Sequence, residues 1–209
     1  MYRIRIISVG PGGKELITLE ALRVIGECEV VIARQEQIEI ITTEVTQKVF
    51  VCSKVDEILT IVEANEGYIT GLLVTGDAGL YSLSNSIMKK LGKDSIEQIV
   101  CGVSSVQVAF AKVCEPWVNV RVVSFHGRDI ENLQDVFKHE KVAILCDKVN
   151  DSKVILKALD TEGLWDRGMR VFVCQNLTME SEQVLEITNS AYINYINPAR
   201  KEILLLLTI

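Results

Sequence analysis

From Tyr2 the chain alternates Arg3 and Arg5 with Ile4 and Ile6, turns continuously apolar up to Val9, and stops at Gly10-Pro11-Gly12-Gly13. That pattern predicts a buried strand closing in a turn. Leu19, Leu22, Val24 and Ile25 then follow helical spacing, with Gly26 at the stop. Val30 to Ala33 and Lys48 to Val51 read as strands. Ser53 and Asp56 resemble an acidic capping box, and Val55, Ile58, Leu59 and Val62 recur at i, i+3, i+4 and i+7, which predicts a helix. Tyr68 to Thr75 is the next strand, ending at Gly76-Asp77-Ala78-Gly79. A helix carrying Ile87, Met88 and Leu91 follows, then a strand from Ile96 to Val100 that ends at Cys101-Gly102. Ser104 stands where it caps a helix whose apolar face is Val106, Ala109, Phe110 and Val113.

Strand, glycine turn and helix alternate throughout this half, which predicts an α/β layer on a mainly parallel sheet. Ligands of such sheets gather beyond the carboxyl ends of the strands, where the three glycine turns fall. Pro116-Trp117 breaks the periodicity, so two domains are expected, 1–117 and 118–209. The second repeats the pattern with a strand from Val120 to Phe125, a helix over Ile130 to Phe137, a strand from Lys141 to Cys146 and a helix from Asp151. Strands at Met169 to Cys174 and Glu202 to Thr208 complete it. A smaller α/β domain of mixed strand direction is expected, and a cleft between two domains is a usual place for a cofactor.

At 209 residues the chain is long enough for one large core or two modest ones. Apolar residues make up 48% and charged residues 24%, which excludes disorder; aromatics at 6% make the core aliphatic. The net charge of -6, with no basic run, argues against nucleic acid as a partner. Six cysteines stand singly, away from His126 and His139, so no metal site is expected and the thiols are read as reduced and buried. Arg3 and Arg5 alternate with isoleucines instead of preceding an apolar block, and Ile203 to Leu207 is too short to span a bilayer. The expectation is a cytoplasmic protein without membrane partners.

Known phosphate-binding motifs fail at the first turn. The dinucleotide fingerprint needs glycine where Glu15 stands, and a Walker loop needs glycine at Ser8 and a hydroxyl at Glu15. Bare backbone at Gly10 to Gly13 suits either a plain turn or close approach to a ligand. Two readings also stand for Asp77: a turn residue capping the next helix, or a carboxylate facing a ligand. Gly102-Val103-Ser104-Ser105 offers amide donors and two hydroxyls. Ser124-Phe125-His126-Gly127-Arg128 gathers a group that exchanges protons near neutral pH and a guanidinium that forks onto carboxylates, though a lone histidine also serves in structure.

Taken in order, GPGGKELITLEA, TGDAGLYS, CGVSSVQVAFAKVCEPW and SFHGR resemble the tetrapyrrole (corrin/porphyrin) methylases. Within them, Gly102 to Trp117 with Ser124 to Arg128 looks like the cobalt-precorrin-7 C5-methyltransferases, the C5 part of the precorrin-6Y C5,15-methylating type. Gln175-Asn176-Leu177 is similar to a later E-N-L-G element. The chain departs from the family pattern at Ala78 and Cys101, where proline is usual, at Val103, and at Gln175 and Thr178 within E-N-L-G.

The resemblance implies two α/β domains, S-adenosylmethionine between them, a corrinoid substrate of cobalamin synthesis and a homodimer. Carried over by position, Val9, Gly76, Asp77, Leu80, Ser104 and Ser105 border the cofactor, with Leu145, Asn176 and Leu177 as further contacts. Pro11, Gly12, His126 and Arg128 face the tetrapyrrole, with His126 as the candidate base. A corrinoid precursor carries several carboxylates, which an acidic protein repels, so Lys14 and Arg128 are expected to receive them. Methylation of another precorrin position, of the diphthamide precursor or of ribosomal RNA, and non-catalytic tetrapyrrole carriage, are the alternatives.

Overall fold

The computed structural model describes residues 2–125, 127, 133–199 and 201–208. It divides into two compact units of near-equal length, Met1–Ser104 and Ser105–Ile209.

The first unit holds β1 (Arg3–Ser8), α1 (Leu19–Gly26), β2 (Val30–Ala33), α2 (Gln35–Ile38), β3 (Lys48–Val51), α3 (Val55–Ala64), β4 (Ile69–Val74), α4 (Ser84–Leu91) and β5 (Ile96–Val100). Its sheet runs β3-β2-β4-β1-β5 and is parallel throughout, so all five carboxyl ends lie on one edge. Both faces are covered. Ile7, Val9, Val31 and Leu73 pack with Ala21, Val24 and Ile25 of α1, whereas Ile4, Ile6, Val30, Ile32 and Leu72 pack with Ile58 and Val62 of α3 and Ile87 of α4. Burial on both faces explains why these strands read as continuous apolar runs. Gly71 within β4 is a packing glycine, since a Cβ there would lie 2.8 Å from Cys28 Sγ. Thr18 caps α1 by accepting from Ala21 N–H at 3.1 Å. The expected Ser53–Asp56 box does not form: α3 starts after Lys54 without a side-chain cap, and Asp56 pairs with Lys90 of α4 at 2.7 Å.

The second unit holds α5 (Ser105–Lys112), β6 (Arg121–Ser124), β7 (Lys141–Leu145), α6 (Ser152–Thr161), β8 (Met169–Gln175), β9 (Gln183–Ile187), α7 (Ser190–Ile193) and β10 (Glu202–Thr208). Its sheet runs β6-β7-β10-β8-β9, with β6 and β7 parallel and the other pairs antiparallel. The mixed direction matches expectation; the smaller size does not. The division also falls earlier than Pro116-Trp117, because α5 packs against β10 and so belongs to the second unit. β10 is central, and Ile203 to Leu207 are all buried. Over the expected helix Ile130 to Phe137, the described part is a 3-10 segment, Leu133–Lys138. Edge strand β9 has no sequence signal of its own, since Gln183, Val184 and Glu186 all face solvent.

All six cysteines are free thiols, but not all are buried: Cys101 and Cys114 are exposed. Burial pushes the Cys28 thiol up to about 11 and the Cys174 thiol up to about 12, so both stay protonated and behave as small hydrophobes. No described helix is long and apolar enough to cross a membrane.

Candidate functional site

Three turns meet at the carboxyl edge of the first sheet, and their meeting is built from main-chain chemistry. Val9 N–H continues the ladder to Val74 C=O at 3.0 Å, and Gly76 N–H donates to Gly10 C=O at 2.7 Å, joining the first two turns. Gly10 and Gly76 have φ of +73° and +74°, a region that L side chains adopt only under strain. Ser8, fully buried, accepts from Ala78 N–H on its Oγ at 2.9 Å. Proline at position 78 would have no N–H to give, so the departure at Ala78 is what permits this bond. Ser84 Oγ closes the same loop by donating to Ala78 C=O at 2.5 Å.

Asp77 ties in the third turn. Its Oδ1 accepts from Gly79 N–H at 2.8 Å, and its Oδ2 accepts from Gly102 N–H at 2.9 Å. It does not cap the next helix, because α4 starts at Ser84 after Leu83. Gly102 fits only as glycine: a Cβ there would lie 2.5 Å from Ser8 Cβ and 2.9 Å from Gly76 O. Ser8, Gly76, Asp77 and Gly102 therefore form one clasp across the ends of β1, β4 and β5. Leu80 follows within it, its N–H donating to Asp77 C=O at 3.2 Å.

Of the other residues named in this unit, Val9 is buried in the core, so only its main chain remains for a ligand. Ser104 is buried, Pro11 is buried and Gly12 half-buried, and Lys14 is exposed on a short 3-10 turn. Ser8 was legible only as a mismatch to a phosphate loop. Gln37, buried beside this edge, also gave no signal; its Nε2 donates to Thr75 Oγ1 at 3.1 Å.

The second unit carries a comparable edge. Leu145 ends β7 beside Ser124 of β6 and Ile203 of β10. Asp147 accepts from Gly127 N–H at 2.7 Å, and from Val149 and Asn150 N–H at 2.8 and 2.7 Å. It does for the turn after β6 what Asp77 does for the turn after β5. His126 and Arg128, on either side of Gly127 in sequence, lie outside the described residues. Asn176 and Leu177 follow β8. Asn176 has φ +46°, donates its N–H to Lys201 C=O at 2.8 Å, and donates its side-chain amide to Ser181 Oγ at 3.1 Å; Leu177 is buried.

Thr178 stands where the resembled element has glycine, and its φ is +70°. A β-branched residue is strained there. Glu182 holds the strained turn by accepting from Thr178 N–H at 2.7 Å, while Lys112 pairs with Glu182 and keeps it below the ordinary carboxylate range. Thr178→Gly is expected to stabilise the protein by roughly 1 kcal/mol, strain relief outweighing the backbone entropy of glycine. A rise in the denaturant midpoint at unchanged slope checks this.

Among the described residues, no group of three or more His, Cys, Asp or Glu is placed to hold a metal ion. In the first unit the named cofactor candidates offer main-chain groups, the Ser104 hydroxyl and the Asp77 carboxylate, with no cationic side chain. That donor set suits a ligand bearing a positive sulfonium and polar hydroxyls.

The model of the tetrapyrrole (corrin/porphyrin) methylases matches residues 3–191, nearly the whole chain. The chain belongs to that family. This tetrapyrrole methylase is accordingly an S-adenosylmethionine-dependent methyltransferase. It is 27% identical over 188 residues to a protein of Methanocaldococcus jannaschii named probable cobalt-precorrin-7 C(5)-methyltransferase, covering 87% of each chain. Among solved structures it is similar to the precorrin-6Y methylase of Archaeoglobus fulgidus, with a TM-score of 0.76, 22% identity and coverage of 99% of this chain and 98% of that one. The uroporphyrin-III C-methyltransferase of Thermus thermophilus, solved with S-adenosylhomocysteine, matches with a TM-score of 0.75 at 18% identity, covering 98% of this chain and 92% of that one. Both structural likenesses establish the fold, and two α/β units are what the sequence predicts.

Proposed function

We propose that this methylase transfers a methyl group to C5 of cobalt-precorrin-7 in cobalamin synthesis, acting as a cytoplasmic homodimer. The observation that carries this reading is the similarity to a named C5-methyltransferase along 87% of both chains. The stretch Gly102 to Arg128, which resembles that subfamily in particular, supports it.

When bound, S-adenosylmethionine supplies an electrophilic methyl on sulfur. Displacement at that carbon is in-line, so the protein's task is to align donor and acceptor carbon at roughly 3 Å and to keep water out. Val9, Gly76, Asp77, Leu80, Ser104, Ser105, Leu145, Asn176 and Leu177 are the proposed cofactor contacts. The clasp at Ser8, Asp77 and Gly102 fits this role, because it fixes main-chain donors and acceptors before any ligand arrives, and such preorganisation lowers the cost of binding.

Pro11 and Gly12 are proposed to face the corrinoid, and Lys14 and Arg128 to receive its carboxylates. His126 is proposed to take the proton lost from the methylated carbon. Any cobalt belongs to the substrate. The test is mass spectrometry of cobalt-precorrin-7 after incubation with the protein and methyl-labelled S-adenosylmethionine, with other precorrins in parallel. One added label on cobalt-precorrin-7 alone is expected; label on another precorrin instead would reassign the step.

A further inference from the structure

Glu202 begins β10 and is 5% exposed, a carboxylate shut inside the second unit. Its Oε2 accepts from Ser152 N–H, the first residue of α6, at 2.7 Å. Its Oε1 accepts from Gln175 Nε2, at the end of β8, at 2.6 Å, and from Ala199 N–H at 2.7 Å. Gln175, 3% exposed, gives Nε2 also to Asn197 C=O at 2.7 Å. The main-chain carbonyl of Glu202 accepts from Cys146 N–H at 3.2 Å, next to Leu145. Three donors from three segments thus compensate one buried carboxylate, as burial of a charge requires.

The pattern of donors and acceptors has one consistent assignment. Glu202 only accepts, so its neighbour at 175 must donate, and each hydrogen of the Gln175 amide has its own acceptor. A second carboxylate beside Glu202 would hold its proton to higher pH than an isolated one, because like charges at hydrogen-bonding distance disfavour the doubly charged state. Gln175 therefore meets Glu202 as a neutral donor, with no second negative charge beside it.

We propose that Gln175 and Glu202 are a positioning pair that holds Leu145, Asn176 and Leu177 in the geometry needed to bind the methyl donor. Gln175 fixes the end of β8, from which Asn176 turns with positive φ, and Glu202 fixes the start of α6 and the residue after Leu145. This inference rests on the reading of Leu145, Asn176 and Leu177 as cofactor contacts. Among the described residues, the other titratable groups near this edge are Cys146, Asp147, Asp151 and Lys201; burial keeps the Cys146 thiol well above the ordinary thiol range, hence neutral.

The test is calorimetric titration of the full chain with S-adenosylmethionine from about pH 8 down to about pH 5.5, comparing wild type with Gln175→Glu. In the variant a proton must bridge two carboxylates. That proton is bound at low pH and lost as pH rises, so the donor to Glu202 is restored on acidification. Gln175→Glu is expected to bind about tenfold more weakly than wild type near pH 8 and to recover toward pH 5.5. A pH profile parallel to wild type overturns the proposal.

Should Gln175→Glu not fold, Glu202→Gln keeps the shape and loses the charge. Its expected Kd for S-adenosylmethionine is about tenfold higher, with substrate KM at saturating cofactor within about twofold of wild type. An unchanged Kd overturns the proposal equally. If wild type itself binds no S-adenosylmethionine, the cofactor reading fails. The pair is then judged by the amide resonances of Asn176 and Leu177, which must still shift on acidification of Gln175→Glu and not of wild type.

Discussion

Gly102→Ala is expected to destabilise the protein by about 3 kcal/mol and to weaken S-adenosylmethionine binding at least tenfold, the upper range for overpacking a filled site. The new methyl would sit 2.5 Å from Ser8 Cβ and 2.9 Å from Gly76 O. Neither neighbour can yield cheaply. Ser8 is fully buried and bonded to Ala78, and Gly76 is bonded to Gly10. Relief must come from moving the Gly102 turn away from Asp77, which breaks the clasp. Gly26→Ala is the control: a Cβ there meets nothing within 4 Å and the backbone is ordinary α1 helix, so its midpoint is expected to stay level or rise by a few tenths of a kcal/mol. Thermal midpoints and calorimetry on both variants check the contrast. A Gly102→Ala protein with wild-type midpoint and affinity would show that the three turns are not held against one another.

Asp77→Asn separates a role in the clasp from ligand contact alone. As the clasp requires, each carboxylate oxygen accepts an amide N–H, from Gly79 and from Gly102. Asparagine retains one acceptor and turns an NH2 toward the other amide, leaving a donor facing a donor. The expected result is a loss of about 1–2 kcal/mol of stability, with cofactor affinity falling tenfold or more and substrate KM at saturating cofactor little changed. If Asp77 served only to touch the ligand, affinity would fall while stability stayed constant. Unfolding and titration on the same preparation therefore tell the two roles apart.

Much of this architecture was legible because both units obey simple periodicities. The buried parallel strand β2 is a continuous apolar run, β1 alternates before turning apolar, β4 is apolar over Leu72 to Val74, and α1 and α3 show their faces at helical spacing. What stayed hidden depends on contacts between distant segments. The helix at Ser105 looked like part of the first half because its sequence follows β5 without a break, yet its packing partner β10 lies at the far end of the chain. Edge strand β9 buries too little to alternate.

The candidate site divides in the same way. Glycines at 76 and 102 announced their turns, but Ser8, Asp147 and Glu202 carried no local signal. Each matters through a hydrogen bond to a residue at least 20 positions away. Two departures from the resembled family gain reasons from such bonds: Ala78 supplies an N–H to Ser8, and Gln175 donates to Glu202. Threonine at 178, in a left-handed position suited to glycine, has no structural explanation.

Action at C5 of a cobalt corrinoid is what we propose for this methylase. Nuclear magnetic resonance of the product formed from cobalt-precorrin-7 and 13C-methyl S-adenosylmethionine tests it most directly. A single labelled methyl bonded to C5 is expected, formed by wild type and strongly reduced in Asp77→Asn at limiting cofactor. Label on any other carbon, or cobalt-precorrin-7 recovered unlabelled from a protein that binds S-adenosylmethionine, would contradict it.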